Sequence, residues 1–296
     1  MLRCEIGFSK SFGDGFSGVR DRRGRVRKRR EMVVVKGGGE AVLSRLGLDT
    51  AGMIAGYSWA PDTVVMLSIA AVAGAFLGGL IRLSSKMTLK SSISRKLVHL
   101  TCGPVFLLSS TAFSSSSVAR FFAAGVPAFF IFRIALASMK SADPLAKTIS
   151  RSGSRDEVLK GPLIYVIVLL GLTLLFWRTP EFVVAVAQMS VGDGFAELIG
   201  RKYGENSGKW FFNERKSYAG SAGFAITAFI GSCALYAVYS SLGQLPPQSI
   251  PFPECIPQLA LISVVCALVE VLDIIAADNI TVPIAGAVLA RLLLYR

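Results

Sequence analysis

The residues of this 296-residue chain that could do chemistry fall in a few short polar stretches between long apolar ones. Asp193 and Glu197 lie in Ser190-Val191-Gly192-Asp193-Gly194-Phe195-Ala196-Glu197, and their i,i+4 spacing sets both carboxylates on one helix face. Like charges so placed repel unless a cation joins them. Two carboxylates near a water-facing helix end suit Mg²⁺, which takes one or two carboxylates together with phosphate oxygens. The plainer reading is a pair salt-bridged to neighbouring basic residues, which orients the helix and binds nothing. Gly200-Arg201-Lys202-Tyr203-Gly204 follows, then Lys209. Two glycines so spaced usually mean close helix packing. Arg201 and Lys202 between them favour a backbone whose NH groups and cations face phosphate. The spacing excludes a Walker A loop. In Asn213-Glu214-Arg215-Lys216-Ser217-Tyr218-Ala219-Gly220-Ser221, Ser217 or Ser221 could cap a helix whose N-terminus faces an anion, with Lys216 beside it. Capping alone is the bland alternative.

A second acidic group lies near the C-terminal end: Glu270, Asp273, Asp278 and Asn279. Glu270 precedes Asp278 by about 12 Å along a helix and so sits deeper among apolar residues. A deep glutamate pairs with a polar partner, and the sequence does not name it. His99, the single histidine, follows Arg95 and Lys96 at the start of an apolar run. It is either an anchor at a membrane interface or a base.

The elements that must position these groups are apolar helices. With 52% hydrophobic and 17% charged residues, the chain is too apolar for an ordinary soluble domain. Apolar runs at 64–81, 97–113, 121–137, 162–177, 182–199, 220–239, 259–277 and 283–294 each read as a membrane span, most reaching the roughly 17–20 residues a bilayer requires. The expected fold is therefore an all-α polytopic membrane protein with about eight crossings, or seven. The net charge of +13 sorts by loop: Arg82, Lys86, Lys90, Arg95 and Lys96, then Lys140, Lys147, Arg151, Arg155 and Lys160, then Arg201, Lys202, Lys209, Arg215 and Lys216. Residues 114–118 and 241–256 lack Lys and Arg, and Arg178 stands alone. That alternation is the positive-inside pattern, so the basic charge is a matter of membrane orientation and not of nucleic acid. Five cysteines without paired spacing and one histidine exclude a zinc site or a disulfide framework.

Residues 1–60 differ from the rest. They hold the basic run from Arg20 to Arg30 and the triplet Gly37-Gly38-Gly39. If retained, this charge would oppose the orientation favoured by the loops, so a cleavable transit peptide over 1–60 ahead of a membrane domain over 61–296 is expected.

Five of these pieces, in order, resemble the polyprenol kinase family, and within it the plant phytol and farnesol kinases. They are Ser94-Arg95-Lys96-Leu97-Val98-His99; residues 157–166 around Lys160-Gly161-Pro162; Gly192-Asp193-Gly194 with Gly200-Arg201-Lys202-Tyr203-Gly204; Lys216-Ser217-Tyr218-Ala219-Gly220-Ser221; and Asp278-Asn279-Ile280-Thr281-Val282-Pro283. The third and fourth also look like the CTP-binding stretch of dolichol kinases. The resemblance implies phosphoryl transfer from CTP or another nucleoside triphosphate, with Mg²⁺, to an isoprenoid alcohol such as phytol, or farnesol or geranylgeraniol. It implies a chloroplast membrane (the endoplasmic reticulum is the alternative) and a supply of phytyl phosphate for tocopherol synthesis. It further implies a nucleotide held by Lys160, Gly194, Gly200, Gly204, Lys209, Lys216, Ser217, Gly220, Ser221 and Asn279. Asp193, Glu197 and Asp278 would hold the metal, and Asp193, Asp278 or His99 would take the hydroxyl proton. Relatives carry two acids where this chain has Ala277-Asp278-Asn279, so that, if both bind metal, either one ligand is lost here or Asp273 substitutes. Two rivals are a CTP:phosphatidate cytidylyltransferase-like enzyme and a transporter whose path is lined by carboxylates.

Overall fold

The computed structural model of the protein describes residues 58–86, 91–139, 143–150, 154–272 and 278–296. The segment expected to be a transit peptide lies almost wholly outside them, as do Lys90, Lys140, Arg151 and Asp273. The described chain is helical throughout apart from one small hairpin, as expected. Its helices are α1 (Trp59–Lys86), α2 (Ser91–Ser109), α3 (Ala119–Ser138), α4 (Pro144–Ile149), α5 (Arg155–Val158), α6 (Ile164–Leu175), α7 (Pro180–Ala187), α8 (Asp193–Ser207), α9 (Tyr218–Ser241), α10 (Ile256–Leu272) and α11 (Asp278–Leu293). Strands β1 (Lys209–Trp210) and β2 (Asn213–Ser217) form the antiparallel hairpin between α8 and α9.

Among the described residues, five helical stretches are long and apolar enough to cross a membrane: Trp59–Leu83, Ala119–Ser138, Arg155–Leu175, Pro180–Ser207 and Tyr218–Ser241. Two of them are composite. A π-helical turn, Leu159–Leu163, joins α5 to α6, and another, Gln188–Gly192, joins α7 to α8. The other expected crossings fall on α2, whose first turns carry Arg95, Lys96 and His99, and on α10 and α11, of 17 and 16 residues. These are marginal for about 30 Å of hydrocarbon at 1.5 Å per residue.

Helix α7 is the centre of the bundle. Every residue of Pro180–Ala187 is buried, and α2, α9 and α11 pack around it. A buried polar brace holds the turn that follows: Gln188 Nε2 donates to Ser232 Oγ of α9 and Ser263 Oγ of α10, each at 3.0 Å. Close van der Waals packing of apolar side chains holds the rest of the assembly, since helices already in lipid gain little from leaving water.

The two ends of the bundle are built differently. At the end reached by the sparsely charged loops, Asp62 of α1 is only 1% exposed and accepts from Ser114 N (2.7 Å) and Ser114 Oγ (2.6 Å). Arg178, in the turn between α6 and α7, donates to the carbonyls of Ser114 (3.0 Å), Ser110 (3.2 Å) and Phe113 (2.7 Å). Arg178 adopts φ +57°, a left-handed backbone that aims its guanidinium back at these carbonyls. This clasp ties α1, the α2–α3 turn and the α6–α7 turn together.

Candidate functional site

The opposite end gathers charged side chains from five separate segments. Helix α2 contributes Arg95, Lys96 and His99 from its first turns, and α8 contributes Asp193 and Glu197. Lys216 comes from β2, Glu270 from the last turn of α10, and Asp278 from the first residue of α11. The π turn at Leu159–Leu163 borders the same region, where Asn279 Nδ2 donates to Gly161 O at 3.5 Å.

The cation that joins Asp193 to Glu197 is a lysine. Lys96 Nζ lies 3.2 Å from Asp193 Oδ2 and 2.7 Å from Glu197 Oε2, and the Lys96 side chain is only 5% exposed. Arg95 Nη2 donates to both Glu197 oxygens at 2.7 Å, and Arg201 pairs with Glu197 from the next turn of α8. Glu197 is thus spent on three cations, which is the salt-bridge reading of the Asp193–Glu197 pair. The carboxylates that converge are instead Asp193, Glu270 and Asp278, each with an oxygen within 4.8 Å of the others. Of the expected set Asp193, Glu197 and Asp278, this group contains Asp193 and Asp278. Glu270, flagged in sequence only as a deep acid without a partner, is its third member.

Lys216 is that partner. Its ammonium pairs with Glu270 and lies 2.7 Å from Asp278 Oδ2. Burial alone would lower the Lys216 pKa, but Glu270 and Asp278 outweigh it and hold the ammonium above the usual lysine value. The lysine is charged at any physiological pH.

His99 Nε2 is 2.8 Å from the carbonyl of Met189 and 3.1 Å from Asp193 Oδ2. A carbonyl only accepts, so Nε2 carries hydrogen and donates. At that nitrogen His99 orients Asp193 and does not take a proton. Its ring rests on Tyr165 with centroids 4.4 Å apart, and Tyr165 Oη bonds Ser190 Oγ at 2.8 Å. Gly103 makes this possible: a Cβ there would fall 2.1 Å from Ser190 Oγ and 2.4 Å from Tyr165 Oη.

The glycines expected to admit phosphate are used for packing. A Cβ on Gly204 would meet Ser217 Oγ at 2.8 Å, one on Gly220 would meet Ala196 O at 3.3 Å, and one on Gly194 would meet Leu100 at 2.4 Å. Gly200 and Gly220 face each other across the α8–α9 contact. The arginine and lysine between Gly200 and Gly204 point outward while the glycines let two helices close on each other. Ser217 caps α9, its Oγ accepting from Gly220 N at 3.1 Å, and Ser221 Oγ accepts from Trp210 Nε1 at 3.0 Å. Ser217 is thereby committed to the helix cap and Ser221 to the hairpin. Lys160 and Lys209 are exposed, outside the ion-paired cluster.

A cavity of about 480 Å³ runs from this cluster into the bundle between α1, α2, α3 and α6. Arg95, His99, Asp193, Gly161 and Asn279 line its polar end, and the remaining wall is almost entirely apolar. Its volume lies within the range of about 300–1,000 Å³ common to small-molecule sites. Sequence reasoning placed the charged groups and not this cavity, because residues lining an apolar pocket and residues facing lipid have the same composition.

Sequence comparison supplies a family. The chain is 36% identical over 260 residues to a Zea mays protein named probable phytol kinase, chloroplastic, covering 84% of each chain. It is 40% identical over 215 residues to Arabidopsis thaliana phytol kinase 1, chloroplastic, covering 71% of this chain and 69% of the relative. It is 39% identical over 237 residues to a Glycine max protein named probable phytol kinase 1, chloroplastic, covering 76% and 77% respectively. No family-level profile matches the chain, and no solved structure matches it.

Proposed function

Since the chain belongs to the phytol kinase family, we propose that it transfers the terminal phosphoryl group of a nucleoside triphosphate, CTP by resemblance, to the hydroxyl of phytol or a related isoprenoid alcohol. One observation carries this reading: an apolar cavity ends at Asp193, beside a cluster of three acids and a buried lysine. An alcohol with a long hydrocarbon tail needs such a site, with its tail in the cavity and its hydroxyl at the polar end.

Phosphoryl transfer depends on positioning and charge neutralisation more than on covalent chemistry. Asp193 is the group at the cavity end that can accept the hydroxyl proton. His99 and Lys96 fix its orientation through Oδ2. Lys216 is held where it can face the donor's phosphates and stabilise charge in transfer. Hydrogen bonding through Asn279 keeps α11 against the turn that borders the cavity.

The three converging acids are hard oxygen donors, a set that fits Mg²⁺, and Asp193, Glu270 and Asp278 would hold it. Bound there, Mg²⁺ would supply neutralisation of the donor's phosphate charge. In its absence Lys216 balances two of the three.

The relatives' names, together with five helices apolar and long enough to cross a bilayer, support a chloroplast membrane as the location; tocopherol synthesis as the use of the product rests on the family resemblance alone. The test is purified protein in detergent with labelled CTP or ATP and a panel of isoprenoid alcohols. Release of nucleoside diphosphate with an isoprenyl monophosphate is expected. Pyrophosphate with a nucleotide-linked lipid would assign a cytidylyltransferase instead.

A further inference from the structure

The cavity is walled unevenly, and we infer that it opens sideways into the bilayer between α1 and α2, so that the alcohol's tail enters from the hydrocarbon and not from water. This rests on the reading of the cavity as the alcohol site.

Exposure divides the lining by helix. On the side of α3, α4 and α6, Val126, Ile134, Ile149, Tyr165 and Leu169 are all buried. The lining residues that are exposed, Ser68, Val72, Phe76 and Val105, all come from α1 and α2. The three on α1 are spaced four apart and so form one stripe along that helix. A side chain that both lines the cavity and is exposed stands at its rim. Val72 is 66% exposed and Val105 54%, which marks a seam between the two helices and not a wall. Gly79 continues the stripe, and a Cβ there would meet no atom within 4 Å.

What lies outside that seam is lipid. Helix α1 is long and apolar enough to cross a membrane, and beyond Asp62 none of its described residues through Leu83 is buried. It is held near the clasp, on the flank that faces α3. There Trp59 meets Phe122 edge-on at 5.8 Å between centroids, and Met66 Sδ fills the space beside Gly125, 2.6 Å from where a Cβ would stand. On α2, the lining hydroxyls of Thr101 and Ser109 each donate to the carbonyl four residues back at 2.6 Å. Turned onto their own helix, they leave an apolar edge for a hydrocarbon chain. A tail already dissolved in the bilayer crosses such a seam without transfer to water, the step that the hydrophobic effect makes costly. The polar mouth at Arg95, His99 and Asp193 is then left to the hydroxyl and the phosphoryl donor.

The experiment narrows the seam at its rim. Val72→Trp, Val105→Trp and the double variant are reconstituted in phosphatidylcholine vesicles. Leu67→Trp and Leu108→Trp serve as controls, adding the same bulk to exposed positions of α1 and α2 outside the lining. Phytol with a photoreactive group near the end of its tail is supplied in the vesicles. Label on α3 and α6, the inner wall, is measured after brief and after long mixing, and kcat/KM for phytol is measured alongside. The rim variants should take up label at least about 10-fold more slowly and lose kcat/KM to match, with the KM for nucleotide unchanged, because a narrowed entrance slows association. The controls should stay within about 2-fold of the wild type, as surface substitutions do. Every altered side chain is exposed, so melting temperatures should hold, and each single variant tests the seam if the double variant unfolds. Unchanged uptake and kcat/KM in the folded rim variants, or equal losses in the controls, would overturn the lateral entrance alone. Label on the inner wall without phosphorylation would overturn the kinase reading and leave the entrance standing. A wild type whose inner wall takes no label would overturn the cavity as the alcohol site, and the entrance with it.

Discussion

The two ends of this bundle use the same charged residue types for opposite purposes. At the clasp, Asp62 and Arg178 bond almost wholly to main-chain groups and a serine of the turns beside them. Those partners cannot leave, so the charges are structural. At the other end, Arg95, Lys96, Asp193, Glu197, Lys216, Glu270 and Asp278 are bonded largely to one another, side chain to side chain, from segments up to 102 residues apart in sequence. Such partners can be exchanged for a ligand's charges at little conformational cost. A charge held by backbone reads as architecture, and a charge held by another charge beside a cavity reads as a site.

Four substitutions would break or sharpen this contrast. Asp193→Asn keeps the size and removes the acceptor charge. It should lower turnover more than about 10³-fold, at about 1.4 kcal/mol per decade, without changing the melting temperature much. Rates near wild type would place Asp193 with the clasp residues. Lys216→Ala should cost about 10²-fold in maximal rate and weaken nucleotide binding, while the KM for the alcohol stays unchanged. An effect confined to the alcohol's KM would move Lys216 from the phosphates to the lipid entrance. Asp62→Asn tests the other end. Thermal melts should register a loss of about 1–3 kcal/mol for a buried group whose hydrogen bonds are disturbed, with specific activity of the folded protein close to wild type. The smallest effect is expected for Glu197→Gln, less than about 10-fold in rate, because partly exposed ion pairs are worth on the order of 1 kcal/mol. Its divalent-cation dependence should match the wild type; a shifted dependence would return Glu197 to the metal set.

The all-helical architecture and much of the site could be read from the sequence for simple physical reasons. Long apolar runs have few structural outcomes, and acids inside them demand a reason, so Asp193, Asp278 and Glu270 stood out. The partner of each acid could not be read. Lys96 meets Asp193 across 97 residues and Lys216 meets Glu270 across 54, and no local spacing encodes such pairings. The glycines were ambiguous for a related reason. Arg201 and Lys202 between Gly200 and Gly204 suggested phosphate, but an exposed face can carry cations while its opposite face packs on α9. Of the seven or eight expected crossings, five are long and apolar enough among the described residues; α2 carries Arg95, Lys96 and His99 in its first turns, and α10 and α11 are 17 and 16 residues long.

The π turn at Gln188–Gly192 gives this protein a vulnerability of a different kind. Such a turn accommodates one residue more than an α-helical turn, and Asp193 is the first residue after it. Deleting any one of the five would let α7 and α8 merge into a continuous α-helix and rotate everything downstream by about 100° relative to α7. Asp193 would swing away from Lys96 and the cavity, although no catalytic side chain had been altered and mean hydropathy was almost unchanged. Substitutions in this stretch are graded by size and polarity, whereas a one-residue deletion is a change of phase. Across homologous chains, this stretch should therefore tolerate changes of residue far better than changes of length.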